Sequence, residues 1–483
     1  MEKIRSYLQE YSFLKSIQSL LLWDMETMMP SGAIDDRAKR LSYIQGKIHA
    51  HITHKDYQQL LEDFSQKKRL TKEQKILLRE LRWDFEINHA LPSHHVESLS
   101  LATTHASHEW AKAKKENNLK LFLPHLQKLI DLKRKETTYF KSQKPYDSLI
   151  KLHDKEFTSS DIKKLFTNLR KGLLKLSHHV KEDQRFIHIK ELKGPFPLDQ
   201  QKAMSLHVAR MFGLPEVHSR LDISTHPFSI NISPLDQRIT TRYDLNHLDS
   251  LSSTMHEVGH ALYELNLPRE WEGTPFQEAV SLSVHESQSR FWENIIGRSH
   301  SFSHFIFPEM KKYFPKSMKG MDPEKLFFYF NKSIPSLIRV ESCELYYNFH
   351  IIIRFEIEEM IFNQGLNAKD IPAVWKQKYK EYLELIPQND AQGMLQDSHW
   401  ASGAFGYFPT YTLGNLISGT LYKNLKKEVT HFEKQIGKGD FSAILNFLKT
   451  NIHSKGRSIN SSDLVGELNV TDYLNYLEEK FKG

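Results

Sequence analysis

At 483 residues the chain is long enough for two or three domains or for one large helical body. It is 39% hydrophobic and 26% charged, with only 20 glycines and 18 prolines, which disfavours a many-stranded sandwich and suits long helices. Lysine and arginine outnumber aspartate and glutamate 66 to 59, but the signs alternate, as in "KRLTKEQKILLRELRWDFE", so no basic stripe points to nucleic acid.

The N-terminus spreads charge through "MEKIRSYLQEYSFLKSIQSLLLWDMETMMP" and shows no small-residue cleavage site. No stretch approaches the roughly 20 apolar residues of a membrane-spanning helix. Cys343 is the one cysteine, which excludes an internal disulfide framework and a four-cysteine zinc site and suits a reducing compartment. The expectation is a soluble, cytoplasmic protein with neither membrane nor nucleic acid as partner.

In chain order, Thr71 to Gln74 reads as a capping box ahead of Leu77, Leu78, Leu81 and Phe85. Residues 108–140 read as two helices, the second starting near Pro124. Residues 160–180 place Ile162, Leu165, Phe166, Leu169, Leu173 and Leu176 on one stripe. No repeat or low-complexity linker divides the chain, so 1–483 reads as a single domain. One stretch departs from helical spacing: "HPFSINISPLDQRITTRYDL" (226–245) alternates Phe228, Ile230 and Ile232, turns, and continues through Ile239, Thr240 and Thr241. It predicts a short hairpin, an edge on which an extended peptide could lie or a small sheet closing a loop.

Directly after it stands "HEVGH". On a helix capped by Asp249 or Ser250, His256 and His260 share one face, at the spacing of two ligands of one zinc, and Glu257 flanks them where a base would hold a water. In a chain with 26 histidines this word also arises by chance. A third ligand is needed. The stretch 274–294, read as a helix opening at Pro275, offers Glu286, with Glu278 and His285 as competitors on spacing. Two histidines, a glutamate and an open position make a catalytic set, and the chemistry predicted is metal-dependent hydrolysis of peptide bonds.

Further words then become recognisable. "DQRIT" (236–240), "HEVGH", "HESQ" (285–288), "GMLQDSHW" (393–400) and "LLWDMETMMPSGA" (21–33) follow in order, and together they resemble the signatures of the Taq-type, thermostable metallocarboxypeptidases. The resemblance implies a mainly α fold with a deep central groove, one small antiparallel sheet, the metal at the groove's base, and a homodimer. It implies His256, His260 and Glu286 as ligands of zinc (cobalt or manganese also suit the set), Glu257 as base, and Arg339 as anchor for the substrate's C-terminal carboxylate. His399 would donate to the oxyanion, with Asp397 orienting it or capping the local turn. Tyr411, with Tyr407 second, would donate to the carboxylate or the oxyanion, and Asp236 with Arg238 would shape the far end of the cleft or pair structurally.

The substrates implied are peptides with a free C-terminal carboxylate, with broad preference. One word departs: "IRVESC" (338–343) carries Cys343 where the family has aspartate, which opens the question of what orients Arg339, with Glu341 or Glu344 as candidates. A zinc endopeptidase or oligopeptidase with the same core, or an inactive helical binding protein, are the competing readings.

Overall fold

The computed structural model describes residues 2–189 and 191–482. Four N-terminal helices, Glu2–Thr27, Ile34–Ile52, Lys55–Ser65 and Lys72–His89, enclose a small core of their own around Leu8, Tyr57, Leu61, Phe64 and Leu81. The last of them begins as its sequence requires: Thr71 Oγ1 accepts from Gln74 N, and Gln74 Oε1 accepts from Thr71 N, both at 3.1 Å.

The larger core gathers nearly everything that follows. The helix Ser159–Glu182 buries Ile162, Phe166, Leu169, Leu173 and Leu176 as expected, with Leu165 at its margin. Before it, the chain breaks at Asn117 in the left-handed region (φ 50°), and the next helix runs Leu119–Thr137 rather than starting near Pro124. Proline inside a helix forfeits one backbone bond. Burial of Leu119, Phe122, Leu126 and Leu129 on one stripe outweighs that loss, so the helix starts five residues earlier.

The expected hairpin is present as β2 (Ser229–Ser233) and β3 (Asp236–Thr241), preceded by β1 (Ser219–Ile223). The sheet order is β1-β3-β2. β2 runs antiparallel to β3 but β1 runs parallel to it, so the sheet is mixed and not purely antiparallel. β1 carries "SRLDI", whose Arg220 and Asp222 pair with each other, and no apolar alternation announces it.

The helix Asp249–Leu265 follows the sheet and is tied to it by the Thr241 Oγ1–Ser253 Oγ hydrogen bond of 2.8 Å. Neither Asp249 nor Ser250 caps it by side chain. The cap position is Leu248; Ser250 Oγ donates to Gln201 instead, and Asp249 serves the helix dipole in the first turn. A second helix, Glu344–Gln364, is buried nearly all round and carries Glu344, Arg354 and Glu358 into the core. Such burial requires partners for every charge.

Candidate metal centre

The helix Asp249–Leu265 turns His256 and His260 toward a shorter one, Leu282–Arg290, which carries Glu286. One donor atom from each of the three lies within 4.8 Å of the others. Glu286 Oε2 is 3.4 Å from His260 Nε2 and 3.8 Å from His256 Nε2. Tetrahedral bonds of about 2.0–2.1 Å place ligand atoms about 3.4 Å apart, so the set fits a divalent cation with little adjustment.

This closeness rests on two glycines. A Cβ at Gly259 would sit 2.6 Å from Gln288 O and from Ser289 Cα, backbone that cannot swing away. A Cβ at Gly414, in the helix Pro409–Glu428, would meet Glu286 Cβ at 2.9 Å. Glu286 is thus presented by a helix pressed between two others.

The stretch 274–294 is not one helix. Pro275–Gln277 forms a 3-10 turn, the chain extends, and Ser281 caps the helix by accepting from Val284 N. Glu278 faces the other way, ion-paired with Lys15 (2.9 Å) and Arg457 (2.6 Å). His285 donates to Glu264 (3.0 Å) and stacks on His260 at 4.4 Å between centroids. Neither competitor joins the donor set.

After Arg290 the backbone widens into a π-helical turn, Phe291–Ile296, of the kind that recurs at functional sites. It brings Glu293 to His256, with Oε2 2.9 Å from Nδ1. A carboxylate only accepts here, so the proton sits on Nδ1 and the Nε2 lone pair faces the other donors. Arg298 donates to Glu293 (2.8 Å), and Arg290 Nε donates to Glu286 (2.7 Å). Burial opposes charge on both carboxylates, but Arg290 and the histidines hold Glu286, and Arg298 with His256 holds Glu293, far below the usual range. Burial and neighbouring His285 push His260 down to about 3, which keeps its imidazole neutral. Glu257 is buried, accepts no hydrogen bond from the described residues, and is pushed up to about 7, chiefly by burial.

The word "QDSHW" builds the opposite wall, residue by residue. Gln396 Oε1 accepts from Arg339 N (2.8 Å). Asp397 accepts from Arg339 Nε (2.9 Å) through one oxygen and from Arg354 Nε (2.7 Å) through the other. His399 Nε2 meets Tyr411 Oη at 2.8 Å, and Trp400 Nε1 donates to Glu358 (2.7 Å). Asp397 therefore clamps two arginines and neither hydrogen-bonds His399 nor caps a turn. Burial opposes its charge, and the two guanidinium groups hold it far below the usual range. Burial and the adjacent Arg339 push His399 down to about 3, so it is neutral.

Arg339 is itself buried. Tyr347 accepts from its Nη1 (2.7 Å), and the Tyr411 ring lies 5.1 Å from its guanidinium carbon. The helix Pro409–Glu428, which carries Tyr411, presses Gly414 against Glu286, and Arg290 lies over the Tyr347 ring at 4.2 Å, which places this wall against the donor set. Tyr407 packs between His153 (5.2 Å) and His399 (5.6 Å).

Cys343 does not touch this clamp. It stands at the cap position before the helix Glu344–Gln364, where burial raises its thiol and Ser333, Arg298 and first-turn amides surround it. Neither Glu341, which is exposed, nor Glu344, paired with Lys480, takes its place; Arg339 is oriented by Asp397.

Asp236 and Arg238 pair with each other at 2.8–2.9 Å, and Arg238 lies over Trp23 at 4.4 Å. One packing contact thus joins "DQRIT" to the N-terminal "LLWDMETMMP".

Sequence reasoning passed over Glu293, Arg290, Arg298, Tyr347 and Arg354. For Arg354 a signal existed: an arginine within "FHIIIRFEI" demands a buried partner. Glu293 had none, because the π-helical turn that aims it leaves no pattern in sequence.

Comparison with known proteins agrees with this geometry. The model of the family described as Carboxypeptidase Taq (M32) metallopeptidase matches residues 3–481. "Thermostable carboxypeptidase 1" of Pyrococcus furiosus is 34% identical, covering 99% of this chain and 98% of its own. "Carboxypeptidase 1" of Bacillus subtilis is 32% identical over 98% and 96%. Among solved structures, Trypanosoma cruzi metallocarboxypeptidase 1 superposes with a TM-score of 0.94 at 34% identity, over 100% of this chain and 99% of that one. A Pyrococcus furiosus carboxypeptidase structure described as "Apo-Mg" gives 0.95 at 33%, over 99% and 98%. The chain belongs to the Taq carboxypeptidase family and is a metallocarboxypeptidase.

Proposed function

We propose that His256, His260 and Glu286 hold the metal, that Glu257 is the general base, and that Arg339 receives the substrate's terminal carboxylate, with release of the C-terminal residue from peptides of broad sequence. The observation that carries this reading is the convergence of three donors beside a buried glutamate that accepts no hydrogen bond from the described residues. When bound, a divalent cation supplies Lewis acidity, polarising a carbonyl and acidifying water. Zinc suits two imidazoles and a carboxylate; cobalt, manganese and, given the related Pyrococcus structure, magnesium are the alternatives to be tested.

Glu257 takes the proton of the attacking water and returns it to the leaving amine. His399 is neutral and shares one proton with Tyr411, so the pair offers a single N–H or O–H donor to the oxyanion. Asp397 and Tyr347 fix Arg339 without consuming its whole fork, and its remaining N–H groups can receive a planar carboxylate. Asp236 and Arg238, paired with each other against Trp23, act as structure rather than as ligands of the peptide. Tyr407, packed between His153 and His399 and against Tyr411, positions that pair.

The reading extends to one domain over 1–483, a cytoplasmic location and a homodimer. The dimer is supported by Phe13, Ile17 and Leu20, which the first helix leaves exposed at helical spacing. Light scattering of the purified chain tests it.

The decisive assay compares an N-blocked dipeptide with its C-terminally amidated twin. Cleavage of the free acid alone, abolished by chelation, by Glu257→Gln and by Arg339→Ala, is the expected result. Equal cleavage of both peptides would instead make the enzyme an endopeptidase.

A further inference from the structure

Among the described residues, one other group of three donors converges. The helix His300–Tyr313 opens with "HSFSH", placing His300 and His304 at the same four-residue spacing as His256 and His260. Glu324, in the first turn of the helix Pro323–Phe330, reaches across to both. Its Oε1 is 2.5 Å from His300 Nε2 and 3.1 Å from His304 Nε2, and the imidazole centroids are 4.7 Å apart. The three donor atoms lie within 4.8 Å of one another and all three residues are exposed. Two ring nitrogens meet one carboxylate oxygen, and the exposure of all three side chains leaves the outer positions open to solvent.

We infer that His300, His304 and Glu324 form a second, surface site for a divalent transition metal, distinct from the HEVGH cluster. Imidazole with a carboxylate selects zinc, nickel or copper over magnesium or calcium. Ser301 stands where the first cluster has Glu257, so the site binds but has no base.

Filling it would tie together two helices that already share an anchor. The helix His300–Tyr313 starts two residues after Arg298. Asn331, at the end of the helix Pro323–Phe330, donates through Nδ2 to Arg298 O (3.0 Å). Arg298 in turn donates to Glu293, the residue that holds His256. The surface cation would therefore brace the segment behind the first cluster.

The test is zinc stoichiometry of the full-length chain, by equilibrium dialysis with metal analysis. The His300→Ala/His304→Ala double variant should bind one zinc fewer per chain than the wild type, and Glu324→Gln should weaken that same site at least several-fold. The difference of one is read whether or not the HEVGH cluster binds zinc, so it stands apart from the reading of the active site. Saturating zinc should also raise the melting temperature of the wild type more than that of the double variant. Equal stoichiometry in wild type and double variant would overturn the site. So would a difference abolished by a ten-fold excess of magnesium over zinc, which this donor set does not favour.

Discussion

Among the described residues two histidines and a glutamate come together twice, and the two clusters differ in almost everything except their donors. At the HEVGH cluster every donor residue is braced: Glu293 holds His256, Arg290 holds Glu286, His285 stacks on His260, and two glycines set the spacing of the helices. At His300, His304 and Glu324 the side chains are exposed, and among the described residues the bracing amounts to the shared carboxylate and the edge of Phe327 against His300 at 5.4 Å. Helical spacing brings imidazoles together cheaply; low dielectric, a neighbouring base and oriented second partners are what turn such a pair into a catalyst. A surface pair of the same composition has none of these.

The sharpest way to break the comparison is to remove Glu257, the proposed base. Glu257→Gln should lower kcat on an N-blocked dipeptide by about 10²–10⁴-fold while leaving metal content unchanged, since the base donates nothing to the cation. Loss of metal along with activity would make Glu257 part of the binding set instead.

Asp397→Asn should follow, because it strands two buried guanidinium groups. Breaking a buried pair costs about 3–5 kcal/mol, read from denaturant unfolding. Asp397 is held far below its ordinary value of 3.8, so its contribution is fully present above that value and is lost progressively as pH falls from there toward the much lower value it has in the folded chain. The stability gap between wild type and Asp397→Asn should therefore be flat near neutrality and shrink below about pH 4. A gap that widens on acidification would contradict the clamp.

Gly259→Ala tests the helix spacing directly. With backbone atoms at 2.6 Å, overpacking should destabilise by about 1–3 kcal/mol and weaken metal binding at this cluster only. Glu293→Gln should lower metal affinity about 10–100-fold at the HEVGH cluster through the orientation of His256, and leave the surface cluster's affinity as it was. At the small end, Ser301→Glu recreates a histidine–glutamate–histidine word on the surface. It should gain no hydrolysis, assayed with Glu257→Gln in the same chain, and shift stability by no more than about 0.5 kcal/mol.

Much of this was legible beforehand where local rules decide it. The capping box at Thr71 and the stripe of Ile162 to Leu176 are consequences of hydrogen-bond geometry and a 3.6-residue period, and both are present as read. The hairpin before HEVGH was legible too, but β1 was not, since a half-exposed strand bearing an Arg–Asp pair shows no alternation. The start of the helix at Leu119 was missed because burial overrode the proline signal.

What the sequence by itself determined is the chemistry on offer: which residue types stand at ligand spacing, that a glutamate adjoins them, and through the ordered words which family they belong to. These are properties of short windows, and short windows are preserved in the linear order. What only the tertiary structure decided is where each charge finds its partner. Asp397 lies 58 residues from Arg339 and 43 from Arg354, and Glu293 lies 37 from His256. No local pattern links such positions. Burial makes an unpaired charge intolerable, and it is the packing of helices distant in sequence that selects which opposite charge removes the penalty.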